Sequence, residues 1–134
     1  MLKITRTYID YDENERTEDF YFNLSKAELA EMELSEAGGL SKTIEKIIAE
    51  QDQKKIIEYF KSIILDSYGE KSPDGKRFIK SQELKEAFSQ TEAYSDLFME
   101  LSSDAKTAIN FVSNIIPKEY RDKNDVIMDH AKNN

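Results

Sequence analysis

The sequence contains no cysteine. Disulfides and thiolate metal sites are therefore excluded, and a reducing compartment is compatible with the chain. It has one histidine, His130, in a polar stretch with no second imidazole nearby. A lone imidazole without partners forms neither a metal site nor a nucleophile–base pair, so His130 reads as a surface residue. Two prolines and four glycines in 134 residues are too few for the turn-rich pattern of a β-sandwich. No apolar run approaches the roughly 18 residues of a membrane span, and the opening segment MLKITRTYIDYDENE carries no apolar signal core. The expectation is a protein that stays in the compartment where it is made and does not enter a membrane. Positive charge is also short: 19 Lys and Arg against 27 Asp and Glu leave a net charge of -8, which disfavours binding to nucleic acid or anionic membranes.

What is present is a set of amphipathic segments, with 39% apolar and 34% charged residues, enough for one ordinary domain. The strongest segment is Lys54 to Tyr68. Ile56, Ile57, Phe60, Ile63 and Ile64 fall at helical spacing opposite Lys54, Glu58, Lys61 and Asp66, which predicts a central helix with one buried face ended by Gly69. At the start of the chain, Leu2, Ile4 and Tyr8 alternate with polar residues, and Phe20, Phe22 and Leu24 share one face of a second β-favouring run. These predict a hairpin whose turn, lacking Asn-Gly or Asp-Gly, leaves register and loop length open.

Ser25 and Glu28 have capping-box spacing, with Leu24 and Leu29 placed as a hydrophobic staple, so a helix is expected from Ser25 to about Glu36, stopped by Ala37-Gly38-Gly39. Leu40 or Ser41 opens another helix with Ile44, Ile47 and Ile48 as its stripe; its junction with the central helix across Glu50 to Gln53 is left open. Ser72-Pro73-Asp74-Gly75 has type I turn composition, Phe78 and Ile79 suit a short extended piece, and Ser81 caps a helix carrying Leu84, Ala87 and Phe88. Ser89 and Glu92 are spaced as a second capping box before Tyr94, Leu97, Phe98 and Leu101. Ser102-Ser103-Asp104 restarts the chain into a helix lined by Ala105, Ala108, Ile109, Val112 and Ile116 and stopped by Pro117. The expected fold is mainly α, of α+β type: a compact helical domain over residues 1–117 beginning with a β-hairpin over 1–24, then a flexible polar tail over 118–134.

Chemistry finds little support. Asp10, Asp12 and Asn14 match the first ligands of a calcium loop, but Glu15 stands where glycine is needed and Tyr21 where a bidentate carboxylate must close the sphere. A solvated acidic turn is the better reading. Neither Gly38-Gly39 nor Asp74-Gly75 makes a phosphate-cradling loop, and no carboxylate pair is placed by a motif. The residues by themselves describe a non-catalytic interaction module without cofactor or metal.

The stretch Asp74 to Ser81, DGKRFIKS, followed by Phe88 to Leu101, FSQTEAYSDLFMEL, resembles the tail assembly chaperones of long-tailed bacteriophages, as do Phe22 to Leu29 and Gly38-Gly39-Leu40. The likeness covers about residues 18 to 117. It implies a chaperone of the host cytoplasm, absent from the mature virion, that binds the tape-measure protein and helps recruit tail-tube protein subunits, with many copies along a filamentous partner; whether those copies form a homo-oligomer by themselves is left open. Phe88, Tyr94, Phe98 and Met99 are the candidate partner-binding residues by their place in the shared block; their helical spacing equally suits a domain core. The family often makes a longer product by ribosomal slippage, and Ala131-Lys132-Asn133 can be encoded by a slippery A AAA AAC, so a frameshift-extended form of the chain is a further expected partner. The alternative is an acidic DNA mimic or other inhibitor or adaptor of a host protein. Its acidic residues, however, are interleaved with lysines rather than gathered in blocks.

Overall fold

A computed structural model describes residues 1–32 and 39–120. The helix begun at Ser25 ends at Glu31, with Met32 as its C-cap, short of the expected end near Glu36; the Ala37-Gly38 stop, His130 and the slippery Ala131-Lys132-Asn133 lie outside the described residues.

Strands β1 (Leu2–Ile9) and β2 (Glu15–Phe22) pair antiparallel with Leu2 opposite Phe22 and Ile9 opposite Glu15. The turn that lacks a glycine is built by Asp10. The Asp10 carboxylate accepts the backbone N–H groups of Asp12 and Asn14, both at 2.9 Å, and the Arg16 guanidinium. Glu13 takes the left-handed conformation at φ 65°, which its exposed side chain tolerates.

Ser25 caps α1 (Lys26–Glu31) with the expected reciprocal capping box, and the staple residues Leu24 and Leu29 are both buried. Helix α2 (Gly39–Glu50) then meets a bend at Gln51, φ 56°, and Asp52 caps α3 (Gln53–Ser67), so the two helices are separate. Along α3, Ile56, Phe60, Ile63 and Ile64 are buried against α2, α4 (Gln82–Ser89) and α5 (Glu92–Ser103). Ile57 departs from the expected stripe and is 47% exposed, because the covering helices all lie on the Ile56/Phe60 side.

Gly69 does not end the central helix. The helix stops at Ser67, and the chain passes directly into β3 (Tyr68–Lys71), which extends the hairpin by pairing Gly69 with Tyr21 and Tyr68 with Phe22. Ser67 makes this sharp exit possible by donating its hydroxyl back to the Ile63 and Ile64 carbonyls at 2.7 and 3.1 Å. Strand β4 (Phe78–Ile79) completes an antiparallel sheet of order β1-β2-β3-β4. Gly69 is required for packing: a Cβ there would lie 2.7 Å from the Ile79 carbonyl oxygen and 2.8 Å from the Phe78 ring. The turn between β3 and β4 is closed by the Gly75 N–H on the Ser72 carbonyl, with Gly75 at φ 74°.

The helices cover one face of the sheet, where Leu2, Ile4, Tyr8, Phe20, Phe22 and Tyr68 point inward. Helix α6 (Ala105–Ile115) closes the layer with Ala108, Phe111, Val112 and Ile115. Lys80 locks the junction of layers. Its three ammonium protons go to the Asn23 carbonyl at 2.6 Å, the Asp66 carbonyl at 2.8 Å and the Glu28 carboxylate. One side chain thereby ties the end of β2, the last turn of α3 and the first turn of α1, and places a cation at the negative end of α3.

Candidate partner-docking surface

Helix α5 carries most of the candidate residues, and its start differs from the one the sequence suggests. Ser89 ends α4, its hydroxyl donating to the Glu86 carbonyl at 2.7 Å. Thr91 is the N-cap, accepting the Tyr94 N–H at 3.1 Å. The reason is Phe88: its ring packs into the core as part of α4, which keeps Ser89 helical and moves the break two residues on.

The four candidates are graded from core to solvent. Phe88, 3% exposed, is the hub of the aromatic cluster, stacked on Tyr68 at 4.2 Å and touching Phe20, Phe22 and Tyr94 at centroid distances of 5.3 to 5.9 Å. Tyr94 is half-buried between Phe88 and Phe98, and burial pushes its phenol pKa up. Phe98 is also half-buried. Met99 is the exposed member at 60%, on a helix surface otherwise presenting Ser95, Asp96 and Ser103. The sequence block thus supplies one solvent-facing apolar side chain, and a methionine adapts readily to irregular partners.

Two grooves flank α5. One, of about 440 Å³, lies beneath the Gln51 bend, with Ile48, Ile56, Phe60 and Leu101 as its apolar lining and Gln53 and Ser103 among its polar residues. The other, of about 250 Å³, opens beside β1 and runs over Leu2 and Ile4 of the strand, Leu97 and Leu101 of α5, and Phe111 of α6. Arg6 crosses it to bind Glu100, and its buried Nε has no acceptor among the described residues. This second groove was missed in the sequence, although Arg6 interrupting the Leu2, Ile4, Tyr8 alternation was its signal. Asp10, the first residue of the calcium-like run, is spent on the hairpin turn: the Arg16 guanidinium and the Asn14 and Asp12 N–H groups hold its carboxyl below the usual range. Among the described residues, no three His, Cys, Asp or Glu side chains are grouped to hold a metal ion.

Compared with known families, the sequence matches the phage tail assembly chaperone model over residues 1–132. No curated protein and no solved structure matches it.

Proposed function

Because the chain belongs to the phage tail assembly chaperone family, we propose that it binds the tape-measure protein and helps recruit tail-tube subunits around it, in the host cytoplasm and without entering the finished virion. The family match, spanning almost the whole chain, is the observation that carries this reading. Such chaperones are generally non-catalytic, and the surface suits a binding role. A long tape-measure protein needs its apolar segments shielded until tube subunits cover them. A carrier with net charge -8 supplies the repulsion that keeps such a complex dispersed, while Met99 and the grooves beside α5 supply apolar contact. No described helix is long and apolar enough to cross a membrane.

Co-expression with the tape-measure protein, affinity capture at moderate salt and mass determination of the eluate test the proposal. The expected result is a soluble complex with several copies of this chain per tape measure, weakened by Met99→Lys. A tape measure that stays insoluble beside a folded, unattached chaperone would overturn it.

A further inference from the structure

The outer edge of β1 has no neighbour among the described residues, since the sheet order begins with this strand. Which backbone groups face that edge follows from the hairpin. The Asp10 N–H bonds the Asn14 carbonyl across the β1–β2 ladder. Because backbone direction alternates along a strand, Leu2, Ile4, Arg6 and Tyr8 direct their N–H and C=O groups toward β2, and Lys3, Thr5, Thr7 and Ile9 direct theirs outward. An incoming strand must bond to these odd positions. The groove lined by Leu2, Ile4, Leu97 and Phe111 opens along the same edge.

We propose that this edge pairs antiparallel with β1 of a second copy of the chain, with Thr5 opposite the second copy's Thr5 on the two-fold axis, joining two sheets into one. Self-pairing through outward groups allows only registers that keep odd residues opposite odd ones. With Thr5 on the axis, Lys3 faces Thr7, Met1 faces Ile9, Ile4 faces Arg6 and Leu2 faces Tyr8. No like charges meet, and the overlap runs from Met1 to Ile9. Met1 and Ile9, 53% and 51% exposed in the single chain, cover one another. Shifting the axis to Arg6 would set two guanidinium groups opposite each other in a closely spaced pair and uncover Met1. The contact is isologous and closes on itself. It is independent of the tape measure.

The chain's lack of cysteine gives a direct test. In the proposed register Thr5 meets its copy at a hydrogen-bonded position, with Cα atoms about 5.5 Å apart and Cβ atoms too widely spaced for an unstrained disulfide but within reach of a short thiol-to-thiol linker, whereas the two Thr7 Cα atoms are separated by more than about 13 Å. A short bifunctional thiol cross-linker should couple Thr5→Cys into a dimer and leave Thr7→Cys uncoupled. Analytical ultracentrifugation of the unmodified chain should show a dimer. Thr5→Pro, which removes an outward N–H while sparing the β1–β2 ladder, should raise the dimer dissociation constant at least about 100-fold, with an unchanged circular dichroism spectrum. A chain that remains monomeric at about 100 µM, or one that self-associates while Thr5→Cys fails to cross-link, overturns the proposal.

Discussion

Phe88 and Met99 lie eleven positions apart in one sequence block and occupy opposite physical situations. Phe88 bridges sheet and helices through four aromatic neighbours, so Phe88→Ala should cost about 3–5 kcal/mol through lost burial and a residual cavity. Met99, 60% exposed, should change stability by under about 0.5 kcal/mol on substitution by Ala while reducing tape-measure capture. Urea unfolding of both variants, beside the capture experiment, separates core from docking residues. Lys80 has a different kind of importance. Burial lowers its pKa, yet its contacts with Glu28 and two backbone carbonyls hold three elements together. Lys80→Met keeps much of the stem but leaves those acceptors without their donor, a loss of about 2 kcal/mol readable in the same urea titration.

At the scale of elements, the α4–α5 junction shows what spacing does and does not specify. Ser89 and Thr91 are both plausible caps three residues before a helical position, and local chemistry alone does not choose between them. The choice is made by the Phe88 ring, whose burial holds α4 intact through Ser89. Thr91→Ala should therefore cost about 1 kcal/mol and Ser89→Ala less than about 0.5 kcal/mol, compared by thermal melts; a larger loss at Ser89 than at Thr91 would return the cap to Ser89. The same logic separates the legible from the illegible elsewhere. The Ser25 capping box, the two faces of the hairpin and the buried stripe of α3 were readable because each depends on neighbours within a few residues. Strand β3 was not, since Tyr68 and Gly69 become a strand only by pairing with Phe22 and Tyr21, far away in sequence. Gly69 looked like a helix stop because its real constraint, the Phe78 ring lying over it, is a tertiary contact. For the candidate docking residues, the sequence block predicted a shared helix but not the gradient of exposure along it. The edge groove required β1, α5 and α6 to be assembled first.

For the molecule as a whole, ionisation marks the limits of the folded state. Three aspartates are held below their ordinary range where they shape the chain: Asp10 by Arg16 and the hairpin N–H groups, Asp74 by Ser72 and the Lys76 N–H, and Asp104 by Thr107 and the Lys106 N–H. At Glu28 burial pushes the pKa up, but the hydrogen bonds from Lys80 and Ser25 outweigh it. Folding favours the ionised form of each. Their contribution is thus in place above the unfolded values of 3.8 for Asp and 4.5 for Glu and is lost as pH falls through the lower folded values. The alkaline side has the opposite origin. Burial raises the phenol pKa values of Tyr8, Tyr59, Tyr68 and Tyr94 above 10.0, so their contribution is complete below that value and fades as pH climbs through the folded ones. Lys80, with its lowered pKa, acts against this alkaline loss. The urea midpoint should therefore be level between about pH 5 and 9 and decline below about 4 and above about 10. A decline already present between pH 7 and 5 would show that some group other than these turn- and cap-forming carboxylates governs acid sensitivity.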